Sequence, residues 1–283
     1  METRSVLVTG SSTGIGRACV VRLEQAGWRV FAGVRKQSDA DALVAHSPSR
    51  VRPIIIDVTD ATSIAEGAEA VTAGLNGSAL HGLVNNAGVS VQGPLEYLPV
   101  EELRRQFEVN VIGQVAVTQA LMPLIRLAPG RVVMMSSISG RAMSFPLIAP
   151  YTASKTALEA LTEALRYELM PEGIHVALIE PGSIDTPIWT KGDATVDPTL
   201  QRLPPDGRRR YSSMIHRAQT LAAAEARRGL PADRVARVVE RALTSPRPRL
   251  RYLVGVDARV RAFVEPLMPQ SLKDMVVRRL FAM

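Results

Sequence analysis

Three observations predict an α/β Rossmann fold: a doubly wound, parallel, seven-stranded sheet with helices on both faces. Short apolar runs alternate with helical stretches along most of the 283 residues, the rhythm of βα units joined by right-handed crossovers. A glycine-rich turn, Thr9-Gly10-Ser11-Ser12-Thr13-Gly14-Ile15-Gly16, links the first strand to the first helix. Polar motifs recur where later strands end, the edge at which such sheets bind ligands.

The elements follow in order. Ser5–Val8 reads as a strand, Gly14–Gln25 as a helix, Arg29–Val34 as a strand and Asp39–Ala45 as a short helix. Val51–Asp57 is the third strand and Ile64–Leu75 a helix; Ala79–Asn85 is the fourth strand, followed by one long helix over Val100–Leu127. Arg131–Ser136, the helix Tyr151–Met170 and the strand Ile174–Glu180 continue the alternation, with Glu180 expected to be structural. The rhythm then breaks. Residues 187–229 mix Pro, Gly and Arg, including Pro204-Pro205-Asp206-Gly207 and Arg208-Arg209-Arg210, and are expected to form a substrate-binding lid or an irregular segment. The helix Ala232–Thr244 and the strand Arg251–Val254 restore the pattern. An amphipathic tail over 258–283 follows, split by Pro266 and Pro269. No repeat or linker divides the chain, so one domain over 1–283 is expected.

Composition narrows the function classes. The single cysteine, Cys19, permits no intramolecular disulfide, and four scattered histidines show no ligand spacing, so no metal is expected. The N-terminus passes straight into a strand without a signal-peptide pattern, and no uncharged apolar run approaches the length of a membrane span; a cytoplasmic protein is expected. The net charge of +7 is uneven: residues 1–201 hold 16 Lys+Arg and 20 Asp+Glu, residues 202–283 hold 18 and 7. Few aromatics interleave with the basic tail, so nucleic acid is not expected as a partner. From Val260 onward, apolar positions recur at largely helical spacing with a basic rim. That pattern suits packing within the protein, a cover over the substrate entrance or peripheral contact with anionic lipid.

The chemistry-bearing motifs are ordered. The glycines of the first turn let the backbone approach a pyrophosphate held at a helix N-terminus. Val34-Arg35-Lys36 ends the second strand. Nicotinamide-binding folds that take NAD carry an acidic residue there for the ribose 2′-hydroxyl, whereas arginine accommodates a 2′-phosphate; NADP(H) is therefore favoured over NAD(H). Thr13, not a basic residue, stands within the glycine turn, which moderates that preference. Asp57-Val58, Asn86-Ala87-Gly88, Ser136-Ser137 and Pro181-Gly182-Ser183-Ile184-Asp185-Thr186 close later strands. Tyr151 and Lys155 lie four apart on one helix face, and Lys155 is one of four lysines among 34 basic residues. A neighbouring ammonium favours phenolate and would lower the tyrosine pKa, suiting it to proton transfer at a carbonyl or alcohol oxygen.

In this order the motifs closely resemble the short-chain dehydrogenase/reductase family, in style its retinol and hydroxysteroid dehydrogenase members, over about residues 3–255. The resemblance implies an oxidoreductase that interconverts a carbonyl and an alcohol. Tyr151 would transfer the proton, Lys155 tune it and hold ribose hydroxyls, Ser137 hold the substrate oxygen and Asn110 hold a water. The cofactor would touch Gly10, Ser12, Thr13, Gly14, Ile15, Gly16, Arg35 and Lys36. Further contacts would come from Asp57, Val58, Asn86, Ala87, Gly88, Tyr151, Lys155, Pro181, Gly182, Ile184 and Thr186. Ser137 is chosen over Ser136 and Ser139, which would be turn residues. A lipophilic substrate is expected, with Trp189, Leu200, Leu203, Met214, Ile215 and Leu221 as an apolar wall. A homo-oligomer, dimer or tetramer, is expected from the family and from the apolar surface of the two long helices. The alternatives are a dinucleotide-binding regulatory protein without turnover and a sugar-nucleotide epimerase or dehydratase. The latter usually carry a different glycine spacing and a larger C-terminal domain.

Overall fold

A computed structural model of the chain describes residues 3–45, 50–186 and 203–282. Its main sheet comprises β1 (Ser5–Val8), β2 (Arg29–Val34), β3 (Val51–Ile55), β4 (Gly82–Asn85), β5 (Arg131–Met135), β6 (His175–Pro181) and β9 (Arg251–Val254). All are parallel, in the order β3-β2-β1-β4-β5-β6-β9. The order reverses between β1 and β4, and that crevice is where a doubly wound sheet binds its ligand.

Alternation along the strands builds two cores. Val6 and Val8 face one side with Val133 and Met135; Leu7 faces the other with Val132 and Met134. The first core is closed by α1 (Gly14–Gln25), α2 (Gln37–Val44) and α8 (Ala232–Thr244). Cys19 lies there as a small apolar group, and burial pushes its thiol up to about 12. The second core is closed by α3 (Ala61–Leu75), α5 (Gly113–Arg126) and α6 (Ala149–Leu169). Both faces of the strands are covered, which is why they read as continuous apolar runs.

The structure corrects three expectations. The long helix over Val100–Leu127 is broken into α4 (Val100–Phe107), a π turn over Glu108–Ile112 and α5. At Gly113, where α5 begins after the π turn, a Cβ would strike the Val58 carbonyl, so the helix passes the turn after β3 where it has no side chain. Second, Val100–Arg126 does reach the length and hydropathy of a membrane span, but half of its apolar window is buried, with Val117, Leu121 and Ile125 in the second core. It is a core helix. Third, the expected lid over 187–229 holds a helix of 24 residues, α7 (Pro205–Arg228). Pro205 supplies the first helical position and Asp206 pairs with Arg209 and Arg210 one turn on. Residues 187–202 lie outside the described residues.

Two-residue strands β7 (Ile184–Asp185) and β8 (Leu230–Pro231) pair where α7 returns to the sheet. The tail forms α9 (Val256–Val264), a 3-10 turn at Glu265–Leu267 and α10 (Gln270–Phe281), split near both prolines as the sequence predicts.

Candidate active site

The carboxyl ends of β1, β2, β4, β5 and β6 surround a cavity of about 460 Å³. Its floor at β1 is the glycine turn. Gly10 and Gly14 have φ of +65° and +56°, values natural to glycine. A Cβ at Gly10 would sit 2.8 Å from the Ala87 Cα, and one at Gly16 would strike the Gly10 carbonyl. Thr13 caps α1 without a side-chain hydrogen bond, so no capping side chain occupies the first N–H groups of that helix. The turn is tied to β4 by Asn86, whose Nδ2 donates to the carbonyls of Thr9 (2.9 Å) and Gly10 (3.1 Å), while Thr9 Oγ1 accepts from the amides of Asn86 and Ala87.

Arg35 and Lys36 end β2 on the cavity wall beside Ser38 and Asp39. Among the described residues neither forms an ion pair. Asp57 also lines the cavity, and its Oδ1 accepts from both the amide and hydroxyl of Thr59 (2.9 and 2.7 Å). One carboxylate oxygen therefore shapes the turn, as strand-end aspartates commonly do.

The reacting end is formed by β5 and α6. Tyr151, Ser137 and Lys155 all line the cavity and are all buried. Ser137 stands beside Tyr151 on the cavity wall and acts to lower its phenol pKa, and its Oγ accepts from the Ser139 amide at 3.2 Å. Ser136 points to a different partner: its hydroxyl donates to Glu159 Oε1 at 2.9 Å. The structure thus separates the three serines, with Ser137 on the cavity wall with the tyrosine, Ser136 on Glu159 and Ser139 in the turn.

Lys155 Nζ donates to the Met135 carbonyl at 2.7 Å and lies 5.8 Å from the Tyr151 ring centroid. Burial lowers its pKa to about 8, and Glu159, four residues on, pulls it upward. Burial pushes the Tyr151 phenol up, with only Ser137 pulling down. The lowering of the Tyr151 pKa by Lys155 expected from their spacing is not found; that cation is itself desolvated and bonded to a carbonyl.

Asn110 does not line the cavity. It is buried in the π turn, where its Oδ1 accepts from the Val89 amide (2.9 Å) and its Nδ2 donates to the Val89 carbonyl (3.0 Å) and Ser154 Oγ (3.2 Å). It reaches the site through Gly88, where a Cβ would lie 3.4 Å from Asn110 Oδ1 and 3.9 Å from Lys155 Nζ. Gly16 is likewise behind the wall. Every other residue expected to touch cofactor (Gly10, Ser12, Thr13, Gly14, Ile15, Arg35, Lys36, Asp57, Val58, Asn86, Ala87, Gly88, Pro181, Gly182, Ile184 and Thr186) is on it.

Sequence reasoning missed a buried ionic cluster beneath these groups. Arg251 Nη1 donates to Glu159 Oε2 (2.5 Å) and Glu180 Oε1 (2.8 Å), and Arg141 lies 3.8 Å from Glu180. Burial raises the Glu180 carboxyl, against which Arg251 and Arg141 act. The four-residue step from Lys155 to Glu159 was the available signal.

The apolar wall is only partly described. Leu203 and Ile215 bury against Leu147, with Tyr97, Tyr211, Met214 and Ala218 around them; Trp189 and Leu200 lie outside the described residues. Leu147 has φ of +70°, a costly conformation for a bulky residue, held by the Gly93 amide donating to its carbonyl at 2.8 Å.

The fold and this cavity define a Rossmann oxidoreductase. The chain belongs to the short-chain dehydrogenase family, whose model matches residues 4–197, and is an NAD(P)-dependent oxidoreductase acting on CH–OH groups. It is 34% identical over 278 residues to an NADPH-dependent 3-dehydrocapnine reductase of Ornithobacterium rhinotracheale, covering 96% of this chain and 95% of the relative. It is also 34% identical to human retinol dehydrogenase 5, covering 96% and 87%, and 34% identical to bovine 17-beta-hydroxysteroid dehydrogenase type 6, covering 99% and 89%. Among solved structures, a short-chain dehydrogenase from Streptomyces avermitilis superposes with a TM-score of 0.77 at 30% identity, covering 99% and 95%. A Burkholderia cenocepacia short-chain dehydrogenase in complex with NADP gives 0.74 at 26% identity, covering 98% of each chain.

The residues present fit a nicotinamide dinucleotide. Positive-φ glycines bring backbone close to a helix N-terminus, the anion-binding arrangement, and cations stand at the end of β2.

Proposed function

We propose that this protein is an NADP(H)-dependent reductase of lipophilic ketones or aldehydes, working in reverse as an alcohol dehydrogenase. The observation that carries the reading is the buried Ser137–Tyr151–Lys155 group at one end of a cavity whose other end presents Arg35 and Lys36. A bound nicotinamide supplies hydride chemistry; the protein supplies orientation and electrostatics. Tyr151 gives its phenolic proton to the carbonyl oxygen, and Ser137, beside Tyr151 on the cavity wall, gives a second hydrogen bond to the same oxygen as charge develops. Lys155, with two N–H bonds left beyond Met135, holds sugar hydroxyls and stabilises the phenolate that follows proton transfer. Asn110 fixes Val89 and Ser154 beside that lysine. Asp57 and Val58 bound the adenine, and Ile184 and Thr186 the carboxamide.

NADP over NAD is supported by the missing carboxylate at Val34, by the cations at Arg35 and Lys36, and by relatives whose names carry NADPH or NADP. A lipophilic substrate is supported by the apolar cluster of Leu147, Leu203 and Ile215 beside the loop that leads to Tyr151, and by retinol and hydroxysteroid dehydrogenases among the relatives. Loss of NADPH absorbance with a panel of lipophilic ketones tests the reading. Consumption that rises with ketone chain or ring size supports it, and no consumption with any member contradicts it.

We further propose a cytoplasmic homo-oligomer that touches anionic membrane surfaces peripherally. Val100, Ile112, Leu161 and Tyr167 expose apolar surface on the helices α4 to α6, which suits a subunit interface and would show as a mass above the monomer by light scattering. On α9 and the 3-10 turn after it the exposed Val256, Val260, Phe263, Val264 and Leu267 form one stripe, with the exposed Arg259 on the same helix. An apolar stripe with a basic rim suits an interfacial helix.

A further inference from the structure

Helix α9 keeps its large apolar side chains outward and buries only the small Ala258 and Ala262. Asp257, Arg261 and Glu265, at four-residue spacing along α9 and the turn that ends it, reach neighbouring loops from that helix; Asp257 is exposed and Glu265 buried. Those charged groups meet the two loops that frame the active site. Asp257 Oδ2 accepts from the Ser183 amide at 2.7 Å, within the loop that carries Ile184 and Thr186 into the cavity. Glu265 Oε2 accepts from the Met143 amide at 2.6 Å, within the loop between Ser137 and Tyr151. Arg261 Nε donates to Glu265 Oε1 at 2.6 Å, and its guanidinium lies 5.3 Å from the Phe145 ring centroid. Between these anchors, Ala258 and Ala262 bury against Ile138, the residue after Ser137.

The space for Asp257 is made on both sides. A Cβ at Gly182 or at Gly255 would strike its carboxylate, and Gly255 has φ of +113°. Two glycines from different strand ends thus shape a cradle for one side chain. Glu225 of α7 faces the same cluster: burial raises its carboxyl pKa, Arg261 draws it down and Asp257 adds to the rise.

We propose that α9 is a strut that sets the active-site loops, with Asp257 and Glu265 as positioning residues, one for the cofactor-side loop and one for the loop of Ser137 and Tyr151. The C-terminal tail is then part of the catalytic apparatus without touching substrate. The carboxylates act as hydrogen-bond acceptors of fixed position, so an isosteric amide oxygen replaces each, and their removal acts on separate steps. The inference rests on the reading of the cavity as the NADPH site.

The test compares Asp257→Ala, Asp257→Asn, Glu265→Ala and Glu265→Gln with the wild-type chain for NADPH affinity by fluorescence titration and for thermal midpoint. Asp257→Ala should weaken NADPH about three- to tenfold, the range for losing one ordinary hydrogen bond, since the site is exposed to water. Asp257→Asn should recover affinity to within about twofold, since its Oδ1 still accepts from Ser183. Glu265→Ala should leave NADPH affinity within about twofold, because its loop lies on the substrate side, while speeding deuterium exchange at the Met143 amide; Glu265→Gln should restore protection. Equal affinity in Asp257→Ala and wild type overturns the strut, as does an equal loss in the Ala and Asn variants. Should Asp257→Ala fail to fold, the wild-type protein decides alone: Ser183 and Met143 amides exchanging at the rate of a free peptide overturn the proposal, and slow exchange at both supports it. A wild-type chain that does not bind NADPH would sink the functional reading instead.

Discussion

The cofactor side of the molecule and its C-terminal side are built on opposite plans. From β1 to β6 the site consists of backbone brought close to backbone: Gly10 against Ala87, Gly16 against the Gly10 carbonyl, Asn86 tying two strand ends together. Its chemistry sits on buried side chains whose charges are held down by burial. From residue 202 onward the chain carries 18 basic and 7 acidic residues, much of α7, α9 and α10 is exposed while α8 closes the first core, and its contribution to the site is made through long-range carboxylate-to-amide contacts. The contrast teaches which half must be rigid. A dinucleotide with fixed phosphates rewards a preorganised cradle, while a substrate wall made by α7 and Leu147 is assembled from parts far apart in sequence.

The largest expected effect that sharpens this contrast is on cofactor choice. Arg35→Ala should weaken NADPH relative to NADH by roughly ten- to a hundredfold, the worth of a charge-assisted contact to phosphate; affinities for both cofactors measured side by side check it. An unchanged ratio would mean that the end of β2 does not read the 2′-phosphate.

Next in size is the cost of the buried lysine. The Lys155 pKa falls from 10.5 unfolded to about 8 in the fold, so below pH 8 the ammonium opposes folding in full. The opposition fades as pH rises from 8 to 10.5, where the unfolded chain holds the proton that the folded chain has lost. Lys155→Met should therefore stabilise the protein by about 1–3 kcal/mol at pH 7, a gain that shrinks above pH 8, while ending turnover. Denaturant melts at the two pH values measure it. A destabilised variant at pH 7 would mean that the Met135 and Glu159 contacts outweigh burial.

The smallest effect belongs to the other region. Phe263→Ser with Leu267→Ser should change stability by no more than about 0.5 kcal/mol, since both side chains face outward. The same double change should release the protein from anionic vesicles in co-sedimentation at low salt. Wild-type protein that stays in the supernatant would remove the membrane contact from the account.

Much of this was legible in the sequence because it is punctuated. β1, α1, β2, α8 and β9 have the bounds that the apolar runs and glycines mark, and the cavity wall follows from strand ends. The break at Asn110 was not legible, because a π turn has the composition of a helix and the close approach beside it, Gly113 to the Val58 carbonyl, joins residues far apart in sequence. The helix α7 was obscured by Pro204-Pro205-Asp206-Gly207, which reads as a turn. Yet Tyr211, Ile215 and Ala218 recur at helical spacing and meet Leu147 and Tyr97. The direction of the Tyr151 pKa was misjudged because spacing reports a neighbour and not its desolvation. The inward face of α9 was hidden since hydrophobic patterning assigns the large apolar side chains to the interior, and here the small Ala258 and Ala262 are buried instead, with Glu265 beyond them.

The central claim is that Tyr151 moves the proton in a carbonyl reduction at this cavity. Tyr151→Phe tests it with one pair of readings on the same sample, NADPH affinity and NADPH turnover with a ketone that the wild type reduces. Affinity within about threefold of wild type, with turnover down roughly a hundred- to ten-thousandfold, is the result expected from removing a general acid and nothing else. Turnover within a few fold of wild type would contradict the assignment.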